Sequence, residues 1–230
     1  PMYRRQRQMC IRDRDKRALV EKAKEGPKVC SDYFFMSTDE KSAPMIVAKF
    51  TRSGTIAATA LEAKGITGYG VRWFAGFLGR LGLQHVVNFS DNEAALVALK
   101  NQAASQVKGL ESVPRECPVG DHSANGDAES AVKQVKQLCR SIRLALESKL
   151  KMTLEQTDPV LQWIPHFAGQ LLTIVRKGPD GKTAWERETG RKWRRPLLQF
   201  GEKIMLREAI EKPGGVVKRD WQPQMKACRF

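Results

Sequence analysis

The sequence predicts an α/β fold, in which a mixed five-stranded sheet is flanked by helices and basic extensions lie at both ends. Three observations predict it. Apolar runs of strand length are separated by turn residues, and segments with helical apolar spacing follow the later runs. Hydrophobic residues make up 41% of the 230 residues, which is enough for a core. The flanking segments are rich in arginine and lysine.

The first three predicted strands form an antiparallel meander. Residues 29–36 are apolar on both faces, as expected for a central strand. Residues 44–50 and 55–61 are the second and third strands, and residues 51–54 provide the turn between them. Because the connections are short, successive strands are expected to run in opposite directions.

Two helices alternate with two further strands after the meander. Residues 65–82 have helical apolar spacing, and their glycines permit close packing on a sheet. Residues 85–91 are the fourth strand, and a helix follows directly at 92–107. Residues 110–116 form a weak fifth strand that leads into a polar loop.

The most regular helix follows this loop and begins near Ala128. Asn125 and Gly126 provide a turn before it, and Asn125, Asp127 or both are available to cap its first amides. A second long helix is predicted at 159–175, broken or kinked near Pro165. The small or apolar positions of the first helix recur at helical spacing: Ala128, Ala131, Val132, Val135, Leu138, Cys139, Ile142, Ala145, Leu146 and Leu150.

This order of strands and helices is typical of the RNase H-like fold, in which the first and fourth strands are neighbours. Three acids stand where that fold brings chain segments together: Asp32 within the first strand, Asp91 at the end of the fourth, and Glu129 in the first turn of the long helix. A lone buried carboxylate costs several kcal/mol unless it is paired or binds a metal. Three converging carboxylates can hold two Mg²⁺ ions roughly 3.5–4 Å apart for phosphoryl transfer.

Each acid also has a structural explanation. Asp32 can be a strand-end acid that pairs with a lysine. Asp91 can favour the start of a helix for which Ser90 and Glu93 match a capping box. Glu129 can compensate the helix macrodipole. The residues alone leave both readings open for each acid.

The net charge of +15 is unevenly distributed along the chain. Residues 1–28 hold ten basic and four acidic residues, a net +6; residues 29–130 hold nine and eleven, a net −2; and residues 131–230 hold twenty-one and ten, a net +11. Basic flanks around an acidic middle favour a polyanionic partner. A basic protein without such a partner is the alternative.

Two basic groups are candidate nucleic-acid contacts. One is the polar face of the long helix, and the other surrounds Trp193, whose ring can stack on a base unless it is docked in a solvated linker. The predicted nucleic-acid-binding residues are Lys133, Lys136, Arg140, Arg191, Lys192, Arg194 and Arg195.

The cysteines indicate a reducing compartment, and therefore a nuclear or cytoplasmic location. They are odd in number and contain no CxxC pair. Neither a membrane-length apolar run nor an apolar signal region is present, so no membrane association is predicted. The first residues resemble the inside of a longer polypeptide. The five cysteines are Cys10, Cys30, Cys117, Cys139 and Cys228.

Several motifs resemble the integrase core of retrotransposon Pol polyproteins, particularly copia-like ones, which belong to the DDE superfamily. The resemblance is carried by the runs CSDYFF at 30–35, FSDNE at 89–93 and SANGDAE at 123–129. Thirty-seven residues separate Asp91 from Glu129, close to the spacing of that family's acidic motif. Similarity continues through GPDGKTAWER at 178–187, GRK at 190–192 and FGEK at 200–203, so it covers roughly residues 25–208.

The resemblance implies Mg²⁺- or Mn²⁺-dependent processing of DNA 3′ ends and strand transfer for DNA integration. Asp32, Asp91 and Glu129 would be the catalytic and metal-ligating residues, with two ions between them. Element ends and target DNA would be the partners of a homo-oligomer. The alternatives are an RNase H-type nuclease of the same fold and a catalytically decayed remnant that still binds DNA.

The sequence departs from this family at its N-terminal end. Such integrases usually carry a zinc-binding domain, but only Cys10 remains as a candidate ligand here, because Arg7 stands where its CxxC partner would be. We therefore predict a basic arm or linker at 1–28, a catalytic core at 29–178 and a basic C-terminal extension at 179–230, with an isolated strand near 202–206. Asp127 is a competing acid beside Glu129.

Overall fold

The computed structural model describes residues 26–37, 42–117, 125–207 and 225–229, the last five and residues 203–207 as backbone strands alone. Most of the predicted basic arm, the loop residues 118–124 and the tail residues 208–224 lie outside the described residues. In chain order the elements are β1 (Lys28–Phe34), β2 (Met45–Phe50), β3 (Thr55–Ala60), α1 (Gly68–Leu81), β4 (His85–Ser90), α2 (Ala94–Ser105), β5 (Glu111–Glu116), α3 (Gly126–Leu150), α4 (Pro159–Val175), α5 (Ala184–Thr189), β6 (Lys203–Arg207) and β7 (Met225–Arg229).

Five strands form one mixed sheet in the order β3-β2-β1-β4-β5. The meander β1-β2-β3 is antiparallel, whereas β4 pairs in parallel with β1 on one side and with β5 on the other. The first and fourth strands are therefore neighbours, as predicted, and the sheet is that of an RNase H-like α/β fold. Asp32 within β1 and Asp91 directly after β4 are therefore brought next to each other on adjacent strands.

Each face of the sheet is covered by two helices. We call the face covered by α3 and α4 the front face and the face covered by α1 and α2 the back face. Alternation along each strand sends successive side chains to opposite faces. In β1, Phe34 packs with the front cluster, whereas Val29 and Tyr33 pack with the back cluster. The front cluster also contains Met45, Val47, Ile56, Ala58, Ala131, Val135, Cys139, Ile142, Ile164 and Ala168.

Helix α4 closes the free edge of the sheet at β3. The Thr173 hydroxyl accepts a hydrogen bond from the Ile56 amide and donates one to the Ile56 carbonyl, both 3.0 Å long. An added Cβ at Gly169 would lie 2.9 Å from the Ala58 backbone nitrogen, so glycine is needed for this close approach. Edge strands expose unpaired backbone groups, and here a side chain satisfies them.

Two local predictions are wrong, and a third is narrowed. Helix α2 has Glu93 itself at its N-cap without a side-chain cap bond, so no capping box forms with Ser90. Helix α4 continues through Pro165, so it is not broken there, and the alternative of a kink stays a prediction; Pro159 in the first turn favours its start. The predicted isolated strand is paired, because β6 and β7 form an antiparallel ladder.

Helix α5 joins the C-terminal part of the chain to the meander. Thr183 and Glu186 form a reciprocal capping box, and Gly190 ends the helix with a positive φ of 69°. Glu188 accepts hydrogen bonds from the hydroxyls of Ser53, in the turn before β3, and of Thr55, the first residue of β3. Among the helices of the described residues, none combines the length and the apolar character that a membrane span requires.

Candidate active site at the ends of β1 and β4

The strand register places Asp32 beside Asp91. Ser31 lies opposite Ser90 in the parallel β1–β4 pair, and the two acids are the next residues on the two chain segments. Neighbouring strands lie about 4.8 Å apart, and directly opposed residues of a parallel pair point to the same face. The sequence-predicted pair is therefore brought together by the sheet.

The start of α3 covers the face on which these acids lie. Ala128 packs against Cys30 and Phe89, which stand two residues before Asp32 and Asp91 and so share their face. Glu129 follows Ala128 and is exposed in the first turn of α3. The third predicted acid is thus on the front face, at the end of the helix nearest the acid pair.

The pKa of Asp32 is raised by its surroundings. Burial and then the Asp91 carboxylate raise the pKa of Asp32 from 3.8 to about 6, against a hydrogen bond from the Tyr33 backbone that lowers it. Glu93 and Glu129 raise it further, in that order. Glu93 was not among the predicted site residues. Its position two residues after Asp91 was the available signal, but we had assigned it to a helix cap.

Asp91 is held by donors from two other segments. The Asn125 amide donates to Asp91 Oδ1 over 2.9 Å, and the Cys117 thiol donates to the same oxygen over 3.2 Å. The Asp91 carbonyl accepts from the Ser90 hydroxyl over 2.9 Å. Asn125 makes no side-chain cap bond at the start of α3, so the prediction that it caps the helix is wrong.

A fully buried lysine lies behind the acid pair. Lys100 of α2 is 0% exposed, and its ammonium donates to the Asn88 carbonyl over 3.1 Å and to the Ser90 hydroxyl over 2.5 Å. Burial lowers the pKa of Lys100 from 10.5 to about 8, and the charge of Glu116 partly opposes this. Sequence reasoning missed Lys100, because one lysine in an amphipathic helix is usually solvated.

Asp127, the competing acid of α3, has a partner of its own. Its Oδ1 lies 3.0 Å from the Lys49 ammonium of β2. Lys49 stands opposite Cys30 in the β1–β2 register, on the front face. This ion pair ties the start of α3 to the sheet, so Asp127 is engaged by a lysine of β2.

The acids have the donor chemistry of a magnesium site without forming a closed cluster. Carboxylate oxygens are the ligands that Mg²⁺ prefers. However, within the described ranges no group of three or more histidine, cysteine, aspartate or glutamate side chains is close enough to hold a metal ion. Without a cation the carboxylates repel one another, and the charge of Asp91 is the second cause, after burial, of the raised pKa of Asp32. The residues fit a divalent cation in chemistry, and their assignment as ligands stays a prediction.

Two of the predicted nucleic-acid contacts lie beside Asp32. A cleft of 710 Å³ is lined by Asp32, Phe34, Val132, Lys136 and Arg140. Because Val132, Lys136 and Arg140 recur every four residues, they form one stripe along α3. Lys133 is exposed and lies outside this lining. The cleft therefore joins a basic helix face to the candidate acid site.

The second basic cluster is separate from this cleft. Arg191, Lys192, Arg194 and Arg195 are exposed, whereas the Trp193 ring packs edge-on against Trp185 at a centroid distance of 5.0 Å. Trp193 lines another cavity, of 820 Å³, between β3, α1, α4 and α5. The ring is half-buried and docked against Trp185, as one of the two readings of the sequence expected.

Two solved structures of integrase cores are similar to this chain. The HTLV-2 integrase catalytic core domain in complex with magnesium matches in its trimeric form with 16% identity and a TM-score of 0.48, over 70% of this chain and 95% of that one. The dimeric form matches with 15% identity and a TM-score of 0.47, over 70% and 94%. No protein-family model matches the sequence, and no curated protein matches it either.

Proposed function

We propose that this chain is the catalytic core of an integrase-like polynucleotidyl transferase of a copia-like retrotransposon, which processes DNA 3′ ends and joins them to target DNA. The observation that supports it most is the register of β1 and β4, which sets Asp32 beside Asp91 on the face covered by the start of α3. Sequence resemblance supplies the assignment to the copia-like group.

Asp32, Asp91 and Glu129 are the residues that would hold Mg²⁺ or Mn²⁺. A pair of such ions supplies activation of the attacking oxygen and stabilisation of the leaving oxygen in phosphoryl transfer. The protein contributes a set of acids whose repulsion a cation would relieve; burial and then the charge of Asp91 raise the pKa of Asp32 to about 6. It also contributes Asn125 and Cys117, which hold the Asp91 carboxylate from outside.

DNA is the proposed partner, and the basic stripe of α3 is its proposed contact. Lys136 and Arg140 line the cleft that begins at Asp32, so they would bind phosphates next to the acids. Lys133 and the exposed cluster Arg191, Lys192, Arg194 and Arg195 would extend the contact. A homo-oligomer is part of the proposal, and sedimentation of the chain with and without DNA ends measures it.

A strand-transfer assay tests the proposed function. Pre-processed duplex ends are incubated with supercoiled target DNA and either Mg²⁺ or Mn²⁺, and an RNA–DNA hybrid is supplied in a parallel reaction. We expect joined products with the duplex, none from Asp91→Asn, and no cleavage of the hybrid. Cleavage of the hybrid without joining would replace the proposal by an RNase H-type nuclease.

A second candidate is a DNA-binding protein that has lost catalysis. It is favoured by the absence, in the parts of the chain described, of three metal-ligating side chains held close together. In that case salt-dependent DNA binding would persist, whereas neither joined nor cleaved products would form with either ion. Strand transfer by the unsubstituted chain would exclude this candidate.

A further inference from the structure

Asn125 is a buried polar residue at the junction between the loop and α3. It is 1% exposed, and its amide nitrogen donates to Asp91 Oδ1 over 2.9 Å across 34 positions of sequence. The contact joins the residue before α3 to the residue after β4. It is therefore a tertiary contact at the centre of the candidate site.

The role of Asn125 differs from that of a helix cap. Asparagine at an N-cap ordinarily accepts a hydrogen bond from an amide of the first turn. Asn125 has φ −95° and ψ 16° and makes no such bond, and among the residues that the structure describes its buried Oδ1 has no hydrogen-bond partner. Leaving a buried amide oxygen unpaired opposes folding. The side chain is thus oriented toward Asp91 at the expense of helix capping.

This orientation constrains two of the acids together. Both hydrogen bonds described for the Asp91 carboxylate, from Asn125 and Cys117, go to Oδ1, so Oδ2 is the oxygen left for a cation. Glu129 stands four residues after Asn125, about one helical turn along α3. Ala128 in the same turn is 0% exposed against the strands, so this end of α3 has little freedom to rotate.

We propose that Asn125 is a positioning residue: its amide orients the Asp91 carboxylate and couples that orientation to the start of α3, and so to Glu129. The inference rests on the proposed metal-dependent function of these acids. Partners that orient a metal-binding group typically change metal affinity by 10–100-fold when they are removed. The expected signature is loss of cation affinity without loss of the metal-free fold.

The first measurement concerns the metal-free protein. In a ¹⁵N–¹H spectrum recorded with EDTA, the side-chain amide signals of Asn125 should shift in Asp91→Asn and stay in place in Glu129→Gln. Unchanged Asn125 signals in Asp91→Asn would overturn the hydrogen bond on which the inference depends. Because no metal is needed, this result is independent of the proposed function.

The second measurement is a Mg²⁺ titration followed by the melting temperature, since an ion that binds the folded state raises it by mass action. Asn125→Leu keeps the side-chain volume and branching but removes both polar atoms. Its metal-free melting temperature should equal or exceed that of the unsubstituted chain, because an unpaired buried oxygen is lost. Its Mg²⁺ midpoint should be at least about tenfold higher.

Two further variants keep the test decisive. Asn125→Ala should raise the midpoint in the same way if the leucine variant fails to fold, and Asn101→Ala, an exposed asparagine of α2, should leave it unchanged. An unchanged midpoint in the folded Asn125 variants would overturn the positioning role while leaving the proposed function intact. A chain that shows the amide shifts but no response to Mg²⁺ would overturn the proposed function and leave the hydrogen bond standing.

Discussion

The two faces of the β1–β4 strand pair carry opposite charges at the same level of the sheet. On the front face, Asp32 and Asp91 lie side by side under the start of α3. On the back face, the Ser90 hydroxyl accepts a hydrogen bond from the ammonium of Lys100, a fully buried residue of α2. Single-residue alternation along the strands is all that separates the acid pair from the cation.

Burial shifts the pKa of the two groups in opposite directions: it raises that of Asp32 on the front face and lowers that of Lys100 on the back face. On the front face, burial and then the neighbouring Asp91 carboxylate disfavour the charged form of Asp32 and raise its pKa. On the back face, Lys100 is 0% exposed and its hydrogen bonds go to two uncharged oxygens, so burial disfavours its charged form too. Both groups oppose folding in their charged forms. Residues that lower the stability of the fold are expected chiefly at functional sites, where activity needs them.

The largest expected effect comes from the front face. Glu129→Gln should reduce strand transfer to background, because it removes a charge needed for a hard cation and keeps size and hydrogen-bonding reach. The metal-free fold and DNA binding should be nearly unchanged, and Mg²⁺ should raise the melting temperature less than in the unsubstituted chain. A melting series with and without Mg²⁺, run beside the strand-transfer assay, measures this.

Asp127→Asn is the control for that change, because Asp127 pairs with Lys49. It should lower the metal-free melting temperature and keep the response to Mg²⁺. If Asp127→Asn removes the Mg²⁺ response and Glu129→Gln keeps it, the wrong acid of α3 has been assigned.

The back face should dominate stability at alkaline pH. The pKa of Lys100 is lowered from 10.5 to about 8, so between these values the unfolded chain binds more protons than the folded one. The free energy of unfolding should therefore rise with pH across this window, by about 3 kcal/mol. Urea unfolding from pH 7 to 11 measures the rise, which Lys100→Met should remove. The exposed Lys108→Met should retain it, and a rise that survives in Lys100→Met would contradict the assignment.

The front face should have the opposite slope at acidic pH. The pKa of Asp32 is raised from 3.8 to about 6, so the folded chain binds more protons there and the free energy of unfolding should fall as pH rises through this window. Without metal, Asp32→Asn should therefore be more stable than the unsubstituted chain at pH 8, by about 2 kcal/mol after solvent screening. Urea unfolding at pH 4 and 8 in EDTA measures it. A variant that is less stable at pH 8 would show that Asp32 is favourably paired.

The smallest expected effect compares DNA binding by the two faces. Replacing Lys133, Lys136 and Arg140 of α3 by glutamate should weaken duplex binding by about tenfold and reduce the slope of affinity against salt by about three. The matched control replaces the exposed cations Arg72, Arg80 and Lys108 near the back-face helices. Fluorescence anisotropy at several salt concentrations measures both. Equal weakening by the two triple variants would mean that net charge, and not the α3 stripe, carries the binding.

Much of the fold could be predicted because its signals are local. The apolar runs gave strands close to the observed bounds, and the helical spacing after Ala128 identified α3. The predictions failed where a side chain had a choice of partners. Ser90 bonds Lys100 and the Asp91 carbonyl instead of forming a capping box, and Asn125 bonds Asp91 instead of capping α3.

By itself, the sequence determined the order of strands and helices, and this order implies that β1 and β4 are neighbours, with Asp32 within β1, Asp91 directly after β4 and Glu129 in the first turn of α3. Those follow from apolar periodicity and turn residues, which act over a few positions. Only the tertiary structure decided that Asp127 pairs with Lys49, 78 residues away, that Asn125 holds Asp91, and that Lys100 is buried behind the acids. The physical reason is that a polar side chain takes the partner that folding brings within hydrogen-bond distance, and no local pattern encodes which one that is.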